Sequence, residues 1–188
     1  MKARVLFATG YEEVEALTVV DLLRRAGVEC LMVSADDLDT VTGARGMEVT
    51  MDEKLSEIDE KLSEIDDQCD LVVLPGGIPG VPNLKANSKV QAMVKAQNDR
   101  GGYVAAICAG PTALGAFGVL ADKNATCYPG CEDQLMAKRH STEPVVVDGN
   151  VITSRGVGTA IEFALKLVEI LIDRQTADDL AEKIVYKR

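Results

Sequence analysis

Short apolar, β-branched runs alternate with helical patterns along this chain, and that alternation limits its fold more than any other feature. The runs are RVLFAT (4–9), VECLMVS (28–34), DLVVLP (70–75) and GYVAAI (102–107). Stretches of this kind, apolar on both faces and separated by helices, imply a mostly parallel sheet with helices packed on either side. The first helix, read over 16–26, places Leu17, Val20 and Leu23 on one side and ends in Arg24 and Arg25. It stops at Gly27, a residue suited to a left-handed cap, and its acidic start suits the helix dipole. Residues 41–51 read as a turn and a hairpin arm, with Arg45 among the turn residues. EKLSEID occurs twice in tandem, at 53–59 and 60–66, with Leu55, Ile58, Leu62 and Ile65 on one stripe. That spacing predicts an amphipathic packing helix, with a dimerising or partner-binding role as the alternative. Residues 159–171 and the following TADDLAEKIV predict two further helices.

A chain of 188 residues, 47% of them hydrophobic, buries one good core, so a single domain over 1–188 is expected. Twenty basic and thirty acidic residues give a net charge of −10, which makes nucleic acid an unfavourable partner. Tryptophan is absent and aromatics are 4%, so stacked-base recognition is also disfavoured, while small carbonyl substrates stay open. The N-terminal apolar run is broken by Gly10, Glu12, Glu13 and Glu15, unlike a secretory signal or a membrane anchor, and a cytoplasmic location is expected. Five irregularly spaced cysteines then read as free thiols rather than a disulfide framework.

GYVAAICAGPTAL carries the densest chemistry. An apolar strand runs into Cys108, small neighbours follow, and Pro111 opens a helix, the pattern of a nucleophile elbow. Helix amides at that turn would favour a Cys108 thiolate, whereas a buried structural cysteine is the alternative. VVLPGG ends another strand in Gly76 and Gly77, whose amides could form an oxyanion hole or a plain tight turn. Glu12, Glu13 and Glu15 stand at the same sheet edge, and one of them drawn toward the sulfur would have a raised pKa and shuttle protons. Arg155 and Gly156, in TSRGVG, offer a site for an anionic group. His140, in AKRHSTEP, reads as a surface-loop residue. Cys127 and Cys131 have i, i+4 spacing but lack two further ligands nearby, which argues against zinc. Cys30 reads as a core strand residue. Neither a GxGxxG nor a Walker-type GxxxxGK sequence is present, so no nucleotide cofactor is indicated.

EEVEA, VVLPGG, AAICAGPTAL and TSRGVGTAIEFAL together, in this order, resemble the ThiJ/PfpI superfamily, in the branch of the Parkinson-disease protein deglycase DJ. The resemblance implies a flavodoxin-like three-layer α/β sandwich with a nucleophile elbow, usually as a homodimer. It makes Cys108 the nucleophile, Glu15 the carboxyl bonded to its sulfur, and Gly77 and Ala109 the backbone donors. Arg45 and Arg155 look like the family's pair near the pocket. The implied activity is a glyoxalase or deglycase independent of glutathione, metal and cofactor, acting on methylglyoxal, glyoxal or their adducts with amines and thiols. Oxidative-stress sensing or redox-regulated chaperone activity through the same cysteine is the alternative. Where many members carry a histidine, this chain has Tyr128, a poor base at neutral pH, so proton transfer falls to Glu15.

Overall fold

The computed structural model describes residues 1–61 and 68–187. Its centre is a seven-stranded sheet built from β1 (Lys2–Phe7), β2 (Glu29–Ser34), β5 (Glu53–Lys54), β6 (Leu71–Leu74), β7 (Tyr103–Ile107), β10 (Val145–Asp148) and β11 (Val151–Ser154). The spatial order is β10-β11-β7-β6-β1-β2-β5, and every pairing is parallel except β10 with β11. Two small ribbons lie outside this sheet. One is the expected hairpin, β3 (Thr40–Thr42) against β4 (Glu48–Thr50), and the other pairs β8 (Asn124–Ala125) with β9 (Arg139–His140).

The strand period of two distributes the central strands between two cores. Ala3, Val5 and Phe7 of β1, Val73 of β6 and Ile107 of β7 face a core closed by α1 (Glu13–Arg25), α6 (Ala160–Leu171) and α7 (Arg174–Lys183). Leu6, Val72, Leu74, Val104 and Ala106 face the opposite core. That second layer holds α2 (Leu55–Lys61), α3 (Gly80–Ala86), α4 (Ser88–Asp99) and α5 (Pro111–Ala116). Helices on both faces explain why β6 and β7 carry only apolar and aromatic residues.

Helix α1 begins three residues before its sequence reading. Glu12 caps it, its side chain accepting the Glu15 amide at 2.8 Å, and this bond fixes the turn that carries Glu15. At the other end Gly27 has φ +82°, and the Val28 amide bonds back to the Leu23 carbonyl, the expected left-handed termination.

The duplicated segment is not helical from its start. Glu53 and Lys54 form the edge strand β5 beside β2, and the helix begins at Leu55. Tertiary contacts override the heptad pattern here: the Glu53 carboxylate lies 3.5 Å from Nε of Arg4, a guanidinium buried under the sheet. Leu55 and Ile58 are buried as their stripe requires, whereas Leu62 and Ile65 lie outside the described residues. His140 also departs from its loop reading, being exposed in the short strand β9. Among the described residues, no helix is long and apolar enough to cross a membrane.

Candidate active site

The strands β1, β6 and β7 are neighbours in the sheet, and the residues that follow their C-terminal ends meet in one cleft. The chain switches direction across the sheet between β1 and β6, the position where open α/β sheets bind ligands. The cleft has a volume of about 830 Å³. Its walls bring together Glu15, Arg45, Gly77, Cys108, Ala109, Tyr128 and Arg155, seven residues spread across most of the chain.

Cys108 has φ +64°, a left-handed backbone that side chains with a Cβ rarely adopt. The turn is held from several directions. Its amide donates to the Ser154 carbonyl at 3.0 Å, and its carbonyl accepts the Tyr128 amide at 2.8 Å. Gly110 is required behind it, because a Cβ there would stand 2.6 Å from the Leu74 carbonyl oxygen and 2.8 Å from that of Ile107. Gly110→Ala is therefore expected to destabilise the fold by about 1–3 kcal/mol and to slow alkylation of Cys108, measured by chemical denaturation and iodoacetamide kinetics.

Glu15 is almost fully buried, and its Oε2 accepts the Gly76 amide at 3.0 Å. It lies within hydrogen-bonding reach of the Cys108 thiol. A Cβ on Gly76 would come within 2.4 Å of Glu15 Oε2 and 2.9 Å of Cys108 Sγ, so glycine is the residue that lets carboxyl and sulfur flank one point. Glu15 Oε1 is buried with no hydrogen-bond partner among the described residues. Burial, the dominant influence, raises the Glu15 pKa to about 7; the Cys108 hydrogen bond opposes this, and the Glu12 charge adds to it.

The expectation that helix amides would hold the Cys108 thiol down is corrected by these surroundings. Burial first, then the Glu15 charge, push it upward, and the Ala109 amide opposes them more weakly. Helix α5 has only six residues and is capped at Gly110, beyond the sulfur, which limits the field it supplies.

The backbone donors divide their work. The Gly76 amide holds Glu15, whereas the Gly77 amide has no acceptor among the described residues and sits in the cleft wall at φ +102°. Arg45 is positioned through its own amide, which donates to Oε1 of buried Glu13 at 2.6 Å. The Arg155 guanidinium donates to the Thr142 carbonyl at 2.9 Å. Of the three acids at the first strand end, Glu12 caps α1 and borders the cleft, Glu13 anchors the Arg45 loop, and Glu15 reaches the sulfur. Cys131 also borders the cleft, a placement its local sequence did not indicate. The preceding Tyr128-Pro129-Gly130 marks a turn, but only the backbone bond from Tyr128 to the Cys108 carbonyl brings that turn to the cleft. Cys30, Cys69 and Cys127 are buried thiols that do not line the cleft, although Cys127 lies near its Cys131 and Arg155. Among the described residues, no group of three or more His, Cys, Asp or Glu side chains is arranged to hold a metal ion.

Comparison with known proteins agrees with this geometry in overall form. The chain is 38% identical over 189 residues to the Parkinson disease protein 7 homolog of Danio rerio, covering 99% of this chain and 97% of that protein. It is 33% identical over 175 residues to the glutathione-independent glyoxalase DJR-1.2 of Caenorhabditis elegans, covering 92% of this chain and 89% of the other. The solved structure of oxidized Toxoplasma gondii DJ-1 matches with a TM-score of 0.93 at 34% identity, covering 100% of this chain and 99% of its own, so the flavodoxin-like sandwich is shared. The DJ-1/PfpI family pattern matches residues 1–170, and the chain belongs to that family.

Proposed function

We propose that this protein is a glyoxalase, independent of glutathione and of any cofactor, that converts methylglyoxal to lactate and acts on glyoxal and related adducts of amines and thiols. The observation that carries the reading is the pairing of Cys108 with a buried carboxyl whose pKa of about 7 matches a neutral-pH proton shuttle. As the Cys108 sulfur adds to the aldehyde carbon, its proton passes to Glu15 and from there to the aldehyde oxygen, so a neutral hemithioacetal forms and Glu15 is again a carboxylate. The oxygen of that adduct is placed beside the Gly77 and Ala109 amides, where developing charge is stabilised. Glu15 then removes the proton from the former aldehyde carbon, giving an enediol, and the neighbouring carbon is reprotonated to leave a thioester. Water cleaves the thioester, releasing lactate and restoring the thiol. Arg45 and Arg155 at the cleft suit the product carboxylate.

Tyr128 is not needed as a base in this scheme, because Glu15 carries the proton in each step. Tyr128→Phe is expected to keep kcat within about twofold of the parent, read by steady-state lactate formation.

A second reading uses the same thiol as an oxidative-stress sensor or redox-regulated chaperone, and a relative solved in an oxidized form supports keeping it in view. The two differ in turnover. Methylglyoxal is supplied without glutathione, and lactate is counted per Cys108. Many equivalents support the enzyme, whereas one equivalent or none leaves the sensor. The proposal includes a cytoplasmic homodimer, and sedimentation at micromolar concentration tests the assembly.

A further inference from the structure

We infer that Cys131 is a resolving thiol for Cys108, so that the first oxidation product of the reactive cysteine is trapped as a reversible Cys108–Cys131 disulfide. This rests on Cys108 being the reactive thiol of the proposed function and extends it to the regulation of the same site.

Of the four other cysteines, Cys131 alone borders the cleft that Cys108 lines. It is partly exposed, as Cys108 is, while Cys30, Cys69 and Cys127 are buried. Its position follows from a chain of backbone bonds. The Cys108 carbonyl accepts the Tyr128 amide at 2.8 Å, and the Tyr128 carbonyl accepts the Cys131 amide at 3.0 Å. The second bond closes a turn with Pro129 and Gly130 at its centre, Gly130 having φ +93°. Proline followed by a positive-φ glycine is the type II pattern, which brings the first and fourth Cα atoms within about 7 Å. Cys131 is thereby folded back over the residue bonded to Cys108, close enough for the two sulfurs to act on each other electrostatically. Burial first and then the Glu132 charge raise the Cys131 thiol above its ordinary pKa, and the Lys85 ammonium beside it opposes them.

The chemistry needs a hydroperoxide as oxidant. Cys108 sulfur attacks the distal peroxide oxygen, the O–O bond breaks, and a sulfenic acid and an alcohol or water result. Cys131 sulfur then attacks Cys108 sulfur; the S–S bond forms, the S–O bond breaks, and hydroxide leaves with the Cys131 proton as water. Two thiols lose one electron each, and the peroxide gains two. Without Cys131 the sulfenic acid would go on to sulfinate.

The test is to treat the reduced full-length protein with equimolar hydrogen peroxide, block remaining thiols, and map peptides by mass spectrometry. The expected product is a Cys108–Cys131 cross-linked peptide pair within one chain, reversed by dithiothreitol. Cys131→Ser is expected to accumulate Cys108 sulfinate at least about fivefold faster. A Cys127–Cys131 bridge, a bridge between chains, or equal sulfinate rates in the two proteins would overturn the inference while leaving Cys108 reactive. A Cys108 that neither oxidises nor takes up iodoacetamide would overturn both this and the proposed function.

Discussion

Cys108→Ala is expected to lower lactate formation from methylglyoxal by at least about 10³-fold, because Cys108 is the thiol paired with the Glu15 carboxyl and Cys131 at the same cleft has no such partner. Cys108→Ser is expected to fall as far. A serine hydroxyl is much less acidic and a much weaker nucleophile than a thiol, so its addition to the aldehyde is far slower. Folding should survive both changes. Residue 108 keeps its left-handed backbone whichever side chain it carries, so the conformational cost at φ +64° is common to cysteine, serine and alanine. Stability of the three proteins should agree within about 1 kcal/mol by urea titration. An alanine variant that retained more than about a tenth of the activity would sink the mechanism.

Glu15→Gln separates activity from stability in opposite directions. The amide keeps an oxygen for the Gly76 amide but neither takes the thiol proton nor removes one from the adduct, so kcat should fall by about 10²–10⁴-fold. The parent enzyme should gain activity as pH rises through about 7, where Glu15 becomes the base. Stability runs the other way. Because burial raises the Glu15 pKa from 4.5 to about 7, its favourable protonated state is fully present below 4.5 and is lost as pH rises through 7. At pH 8 the buried carboxylate therefore costs the fold up to about 3 kcal/mol, and E15Q lacks that cost. The variant should be more stable than its parent at pH 8 and lose the advantage toward pH 4. Equal pH dependence of unfolding in the two proteins would show that Glu15 does not carry the raised pKa.

The central strands were legible because burial on both faces leaves little besides apolar residues, and β1, β6 and β7 lie within two residues of their sequence readings. The elbow was legible for a related reason: a side chain on so tight a turn needs small neighbours, and Ala106, Ala109 and Gly110 supply them. Edge elements were harder. Glu53 and Lys54 look helical in isolation and become a strand only because β2 and Arg4 are beside them. The ionisation of the site was also hidden, since local sequence shows the helix after Cys108 but not the burial and the carboxylate that outweigh it. Choosing Glu15 over Glu12 and Glu13 needed either the family resemblance or the fold, because all three stand in the same few residues. Cys131 enters the cleft through a backbone bond between Tyr128 and Cys108, a contact between segments twenty residues apart that no local pattern reports.

The bond from the Cys108 amide to Ser154 has a consequence for the protein during its synthesis. A ribosome delivers Glu15, Gly76 and Cys108 well before it delivers β11, and β11 pairs with the strand that ends in the elbow. Until Ser154 emerges, the nascent chain carries Cys108 without the acceptor that anchors the turn. The thiol at that stage is governed by water rather than by a buried carboxyl, and it has the ordinary acidity of an exposed cysteine. Labelling arrested chains of increasing length with a thiol reagent would follow the cleft as it closes.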